Sequence, residues 1–188
     1  MKIQKGDILL VVDVQNDFIN GSLAVPGAEE IIPVINKYIR KFRDRIFSAD
    51  DHLIDHSSFI EQGGPWPTHC VSGSVGAELH SDIAFDNDVD IMVYKGGNRN
   101  KDAYSAFETG SLSQYLDNLK AKRLFICGLA TDYCVKATVL DALDLFKGEV
   151  FVLIDAIRAV NIIPGNDERA LQEIFDDGAK IAIFDDLQ

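Results

Sequence analysis

Apolar and polar residues along the chain alternate between two patterns. The first is a short, nearly continuous apolar run rich in β-branched residues, which is typical of strands covered on both faces of a parallel sheet. Six such runs predict strands at residues 8–13, 45–49, 91–95, 123–128, 150–155 and 180–184. The expected centre of the fold is therefore a buried parallel sheet.

Between these runs, apolar residues recur every three or four positions, which indicates amphipathic helices. Such stripes predict helices within residues 29–42, 111–119, 135–146 and 170–175. Asp167 is the expected N-cap of the last helix, and Gly178 is the expected glycine just beyond its end. Strands that alternate with helices predict an α/β fold with helices on both faces of the sheet, although the pattern does not give the strand order.

Two polar stretches, residues 50–85 and 96–110, follow neither pattern. Loops of this length in a compact domain are usually functional or disordered. Both begin at the C-terminal ends of predicted strands, where open α/β sheets bind their ligands. We therefore expect the functional site at that edge of the sheet.

Length and charge narrow the class of protein. The chain has 188 residues with a formal net charge of -12, so we expect one domain over residues 1–188 and no nucleic-acid or membrane partner. No apolar run approaches the ~18 residues that span a bilayer, and no signal-peptide pattern opens the chain. Three cysteines without metal-type spacing indicate a reduced, cytoplasmic protein. The oligomeric state stays open, a homo-oligomer included.

Cys134 follows the fourth predicted strand and falls in the first turn of a predicted helix, where free N–H groups and the helix dipole favour a thiolate. Asp13 ends the first strand and Lys95 the third, so a parallel sheet brings the three together. Asp13 is the expected proton carrier and Lys95 the expected source of positive charge for attack on an amide. The N–H groups of Ala130 and Cys134 are the expected oxyanion hole. Taken singly, an Asp that ends a strand is more often a cap or a turn former, and a Lys after a strand is more often a solvated side chain.

A second group of polar residues follows the predicted second strand. Asp50 and His52 are two positions apart and share one side of an extended segment, and His56 and His69 lie in the loop that follows. One carboxylate and two or three imidazoles suit zinc, iron or manganese. By residue type alone, His56 and His69 are equally consistent with loop histidines bonded to the backbone.

Aromatic residues occur in the loops at the same edge. Phe18, Trp66 and Tyr104 suit a pocket for a flat ring, although each is equally consistent with packing over the sheet. Cys70 and Cys127 are expected to be small buried hydrophobic residues.

Six segments in this order along the chain resemble the nicotinamidase/pyrazinamidase branch of the isochorismatase-like cysteine hydrolases. They span nearly the whole sequence. The segments are LVVDVQNDF at 10–18, DDH at 50–52, GPWPTHCV at 64–71, KG at 95–96, DAYSAF at 102–107 and GLATDYCV at 128–135.

The resemblance implies a three-layer α/β/α fold with a six-stranded parallel sheet and a cis peptide before Ala130. It further implies a metal that binds the pyridine nitrogen and directs the carboxamide to the thiol. The site residues that it implies are the triad Asp13, Lys95 and Cys134, the metal ligands Asp50, His52 and His69 with His56 nearby, and the pocket residues Phe18, Trp66 and Tyr104.

The expected activity is hydrolysis of nicotinamide to nicotinate and ammonia through a thioester on Cys134, with pyrazinamide as a further substrate. A related cysteine hydrolase, acting on another small amide or a carbamoyl compound without a metal, is the main alternative. A catalytically silent binding protein is a third possibility, against which the complete triad argues.

Overall fold

The computed structural model describes residues 1–187 and contains one six-stranded sheet in which every strand pairs in parallel. The order across the sheet is β3-β2-β1-β4-β5-β6. The strands are Asp7–Val12 (β1), Asp44–Asp50 (β2), Ile91–Lys95 (β3), Arg123–Leu129 (β4), Glu149–Arg158 (β5) and Lys180–Ala182 (β6).

Five α-helices and several shorter helical turns connect the strands. The α-helices are Asn16–Ile19 (α1), Ala28–Lys41 (α2), Ser111–Leu119 (α3), Lys136–Leu145 (α4) and Asn166–Asp176 (α5). A π-helical turn, Thr131–Val135, runs directly into α4. Three single 3₁₀ turns occupy Ile60–Gln62, Val75–Ala77 and Phe184–Asp186. None of the helices in residues 1–187 has the length and apolar character needed to cross a membrane.

The apolar runs form strands because each can bury both of its faces. Every residue of β1 and β4 is buried. Side chains of one face, such as Leu9, pack with Ile31 and Ile35 of α2, whereas side chains of the other face pack with α3, α4 and α5. The predicted three-layer α/β/α arrangement is therefore confirmed.

The ends of some elements differ from the predictions. β5 runs on to Arg158 because its pairing with β4 shifts register between Ile126 and Gly128, which lets the longer strand continue along the same neighbour. β6 ends at Ala182, since the chain then turns into a 3₁₀ segment.

The start of α5 also differs. The N-cap is Gly165 with φ +83°, and Asp167 lies inside the first turn. Asn161 explains the difference, because its side-chain oxygen accepts hydrogen bonds from the N–H groups of Asn166 and Asp167 at 3.0 and 3.4 Å. The prediction for the other end is confirmed, since Gly178 follows the helix with φ +112°.

Candidate active site and metal-binding cluster

The strand order brings the predicted triad together at the C-terminal edge of the sheet. Asp13 directly follows central strand β1, Lys95 is the last residue of β3, and Cys134 lies in the π-helical turn after β4. All three are buried. Lys95 Nζ lies 2.8 Å from Asp13 Oδ2 and 3.4 Å from Cys134 Sγ.

The two oxygens of the Asp13 carboxylate have different neighbours. Ser48 Oγ donates to Oδ1 at 2.7 Å. Oδ2 forms a close ion pair with Lys95, yet the pair lies outside hydrogen-bonding angles, so this oxygen has no hydrogen-bond partner within residues 1–187. One oxygen of Asp13 also lies within 4.8 Å of Cys134 Sγ. The carboxylate of Asp13 therefore lies near the thiol.

Burial and neighbouring charges together set the pKa values of these groups. Burial raises the pKa of Asp13, an effect that the charge of Lys95 opposes and the carboxylate of Asp50 reinforces. Burial alone would lower the pKa of Lys95, but Asp13 and Asp50 outweigh it and hold that pKa well above its ordinary value. Lys95 is therefore a permanent positive charge.

The sequence led us to expect that the helix position of Cys134 favours a thiolate, and the groups around the thiol oppose this effect. Burial raises the pKa of the thiol well above its ordinary value; Lys95 opposes this, and Asp13 and Asp50 add to it. Desolvation and two nearby carboxylates therefore outweigh the ammonium group of Lys95. The thiol therefore needs a base at the moment of reaction.

The backbone before Cys134 is unusual. The Leu129–Ala130 peptide is cis, as the resemblance implied. The carbonyl oxygen of Ala130 accepts the N–H groups of Tyr133 and Val135, both at 3.0 Å. Ala130 and Cys134 line the same cavity, which is the arrangement that the predicted oxyanion hole requires.

Asp50, His52 and His69 form a buried cluster whose ligand atoms all lie within 4.8 Å of one another. His52 Nδ1 lies 3.1 Å from the carbonyl oxygen of Gly96, and His69 Nδ1 lies 2.8 Å from that of Pro67. Because a carbonyl oxygen only accepts, each Nδ1 carries the proton and each Nε2 is left with a lone pair.

The charges in this cluster also suit a cation. Burial raises the pKa of Asp50, but Lys95 and His52 outweigh it and bring that pKa below the ordinary value, so Asp50 is a carboxylate. Burial lowers the pKa of His69, which keeps its imidazole neutral. One carboxylate and two imidazoles, each with Nε2 left as an acceptor, fit a divalent metal such as zinc.

His56, the fourth predicted ligand, lies beside this cluster but is not brought into it. Its ring centroid is 4.4 Å from that of His52. Nε2 lies 3.2 Å from the carbonyl oxygen of Lys101, and Nδ1 lies 2.7 Å from Ser58 Oγ. Both ring nitrogens are therefore occupied, and His56 joins two loops of the site.

Two residues that support the cluster were missed by sequence reasoning. Gln15 accepts the N–H of Asp50 at 2.8 Å and donates to the carbonyl oxygen of Asp50 at 2.8 Å, which fixes the backbone of that ligand. Gly96 has φ +77°, and a Cβ there would lie 2.5 Å from Cε1 of His52. Only glycine lets this carbonyl reach the imidazole, and its place directly after Lys95 was the available signal.

The three predicted pocket aromatics do line the cavity in front of Cys134. Trp66 Nε1 donates to the hydroxyl of Tyr104 at 3.0 Å. The ring of Phe18 lies 5.6 Å from that of His69. Tyr133, which sequence reasoning missed although it adjoins Cys134, packs edge-on against Trp66 at 4.9 Å. The cavity is thus an aromatic slot between the thiol and the metal-binding cluster.

Comparison with known families agrees with this geometry. The isochorismatase domain model matches residues 7–183. The chain belongs to the isochorismatase family.

Three relatives illustrate the similarity within this family. A nicotinamidase of Escherichia coli strain K12 is 38% identical over an alignment of 206 positions, which covers 96% of this chain and 96% of that protein. The pyrazinamidase of Pyrococcus horikoshii in complex with zinc gives a TM-score of 0.89 at 42% identity, covering 95% of this chain and 99% of that one. PnC1 from L. infantum in complex with nicotinate gives a TM-score of 0.91 at 34% identity, covering 98% and 96%.

Proposed function

We propose that this protein is a metal-containing cysteine amidase that hydrolyses nicotinamide to nicotinate and ammonia, and pyrazinamide to pyrazinoate and ammonia. One observation carries the proposal: Cys134 and the cluster of Asp50, His52 and His69 open into the same aromatic cavity. The nicotinamidase and pyrazinamidase relatives support the choice of substrate.

Cys134 is the proposed nucleophile and Asp13 its base. As Sγ attacks the carboxamide carbon, the thiol proton moves to the carboxylate of Asp13. Asp13 returns that proton to the amide nitrogen, the C–N bond breaks, and ammonia leaves a thioester on Cys134. Asp13 then takes a proton from water, which attacks the thioester and releases nicotinate, and the proton passes back to Sγ.

Lys95 stays protonated throughout. Its ammonium group donates to the carbonyl oxygen of Ala103 at 3.0 Å and lies against Asp13 and Cys134. It stabilises the thiolate that forms during attack, because opposite charges interact strongly in a buried site.

The N–H groups of Ala130 and Cys134 form the proposed oxyanion hole. In this role they donate to the substrate oxygen as negative charge develops on it. Removal of one such donor typically costs about 2.7–4 kcal/mol of transition-state stabilisation.

Asp50, His52 and His69 are the proposed metal ligands, with zinc the proposed ion; iron and manganese share the ligand preference. When bound by these residues, the cation would supply a Lewis acid suited to a ring nitrogen. We place His56 outside the ligand set because both of its ring nitrogens are engaged by Ser58 and Lys101.

Phe18, Trp66 and Tyr104 are the proposed walls for the substrate ring. Their rings line the cavity together with Tyr133, as a pocket for a planar heteroaromatic amide requires. The aromatic slot and the three-ligand cluster argue against the main alternative, a metal-free cysteine hydrolase that acts on another small amide or a carbamoyl compound.

The test measures ammonia release from nicotinamide and pyrazinamide by zinc-loaded protein, with metal content determined on the same sample. We expect turnover of both amides, near-stoichiometric metal, and a loss of kcat of ~10³ or more in Cys134→Ala. Full activity of Cys134→Ala refutes the mechanism. Absence of turnover by the metal-loaded wild type refutes the substrate assignment.

A further inference from the structure

Asp132 lies two residues before Cys134 in the same π-helical turn, and its side chain contacts a different segment of the chain. It is 8% exposed. Its Oδ1 accepts the N–H of Val160 and its Oδ2 accepts the N–H of Asn161, both at 2.9 Å. Two successive backbone amides therefore share one carboxylate, and hydrogen bonds to an ionised acceptor are among the stronger ones in proteins.

The segment that Asp132 holds lies outside both neighbouring elements. β5 ends at Arg158 and α5 begins at Asn166, so the amides of Val160 and Asn161 have no partner in a strand or a helix. Asn161 itself lies in the left-handed region, with φ +58°. Asp132 is thus the group that fixes this connection.

The held segment is fixed on its other side by the helix that follows. Asn161 Oδ1 accepts the N–H groups of Asn166 and Asp167 in the first turn of α5. A chain of contacts therefore runs from the turn that carries Cys134, through Asp132 and Asn161, to α5.

Val160 gives this connection a role in the site. It lines the aromatic cavity together with Ala130, Tyr133 and Cys134. Among residues 1–187 it is the one lining residue contributed by the chain after α4. The N–H of Val160 is one of the two that Asp132 accepts, which ties this lining residue to the turn that carries Cys134.

The geometry points to Asp132 as a positioning residue for substrate selection: it fixes the Val160 wall relative to Cys134 and so sets how closely a ring amide fits the slot. This inference rests on the proposed function. Asp132 does not touch the reacting atoms, and it acts through Val160.

The first test compares the wild type with Asp132→Asn, which keeps the shape but leaves one oxygen to accept and sets an NH₂ group against a backbone N–H. We expect KM for nicotinamide to rise about fivefold to tenfold, the size of one lost charge-assisted hydrogen bond, with kcat changed less than about twofold. A fall in kcat at constant KM overturns the inference, as does no change in either constant.

A double-variant cycle tests whether the effect passes through Val160. Val160→Ala shortens the wall directly, so Asp132→Asn should raise KM by a much smaller factor in that background. Multiplication of the two single effects, with no coupling, contradicts the inference.

A matched control separates positioning from general stability. Asp155 accepts the hydroxyl of Tyr38 at 2.7 Å and the N–H of Phe184 at 3.0 Å, and it does not line the cavity. Asp155→Asn should lower Tm as Asp132→Asn does but leave KM unchanged. An equal rise of KM in both variants overturns the inference.

Two further measurements keep the inference testable if a variant folds poorly or the proposed substrate is wrong. Asp132→Glu keeps both acceptor oxygens on a longer stem, so it should fold and still raise KM by displacing the segment. Nicotinamide affinity, read from Trp66 fluorescence in zinc-loaded Cys134→Ala, should fall on adding Asp132→Asn. That binding comparison does not need turnover, so absence of hydrolysis by the wild type counts against the proposed function alone, and equal affinities count against the role of Asp132.

Discussion

Lys95 Nζ lies 2.5 Å from Asp50 Oδ1, so a residue of the catalytic triad is also ion-paired with a residue of the metal-binding cluster. The other oxygen of Asp50 lies 3.7 Å from His52 Nε2, facing the remaining ligands. One carboxylate therefore joins Lys95, which lies beside the thiol, to the proposed metal-binding cluster, so a change at either group should affect the other.

Lys95→Met should impair both the triad and the metal-binding cluster. It leaves the carboxylates of Asp13 and Asp50 buried without their counter-charge, which typically costs about 3–5 kcal/mol of stability. We expect loss of ammonia release together with a lower midpoint in urea unfolding. Lys101→Met is the control, because that side chain is 67% exposed and its ion pair with Glu108 contributes little. Retention of wild-type stability by Lys95→Met contradicts the buried ion-pair network.

Asp13→Asn should make Cys134 more reactive while abolishing amide hydrolysis. Burial and the Asp13 carboxylate both raise the pKa of the thiol, whereas Lys95 lowers it. Removal of the carboxylate therefore shifts the balance toward the thiolate. We expect faster alkylation of Cys134 by iodoacetamide at pH 7 in Asp13→Asn than in the wild type.

The pH dependence of the alkylation rate gives a second test of the thiol pKa. Since the thiol pKa in the wild type lies above its ordinary value of ~8.5, the alkylation rate should still be rising at pH 9. A plateau below pH 8 shows that the thiol is already ionised, and slower alkylation of Asp13→Asn shows that the Asp13 carboxylate does not raise the thiol pKa.

Gly96→Ala should release the metal without touching a ligand. The added Cβ would lie 2.5 Å from the ring of His52, so either the imidazole or the carbonyl that orients it must move. Gly97→Ala is the matched control, because nothing lies within 4 Å of the Cβ there. Metal content after dialysis should fall in the first variant and not in the second. Equal metal content in both shows that the orientation of His52 does not depend on this contact.

Of the two loop histidines, we expect His69 to bind the metal and His56 not to bind it. His69→Ala removes a lone pair from the cluster and should lose metal, whereas His56→Ala should keep it and weaken only the contacts to Ser58 and Lys101. Metal analysis after dialysis measures the difference. Comparable loss from His56→Ala restores the four-ligand set predicted from the sequence.

The sheet, its helices and the assembly of the triad could be predicted because they follow from local patterns and one general rule. Asp13, Lys95 and Cys134 each end or follow an apolar run, and parallel strands present those ends at the same edge. Asp50 and His52 were placed by the same reasoning, without knowledge of the strand order.

What the sequence could not supply depends on contacts between distant segments. The N-cap of α5 depends on Asn161, and the position of Val160 depends on Asp132, which precedes it by 28 residues. Burial of the thiol beside two carboxylates, which raises its pKa, is likewise visible only once the chain is folded.

The central claim is that an acyl group is carried on Cys134, and partition of that group between water and hydroxylamine tests it most directly. Nicotinamide and methyl nicotinate should give the same ratio of nicotinohydroxamate to nicotinate at a given hydroxylamine concentration, because both pass through one thioester. Different ratios, or no hydroxamate from nicotinamide, would contradict the account.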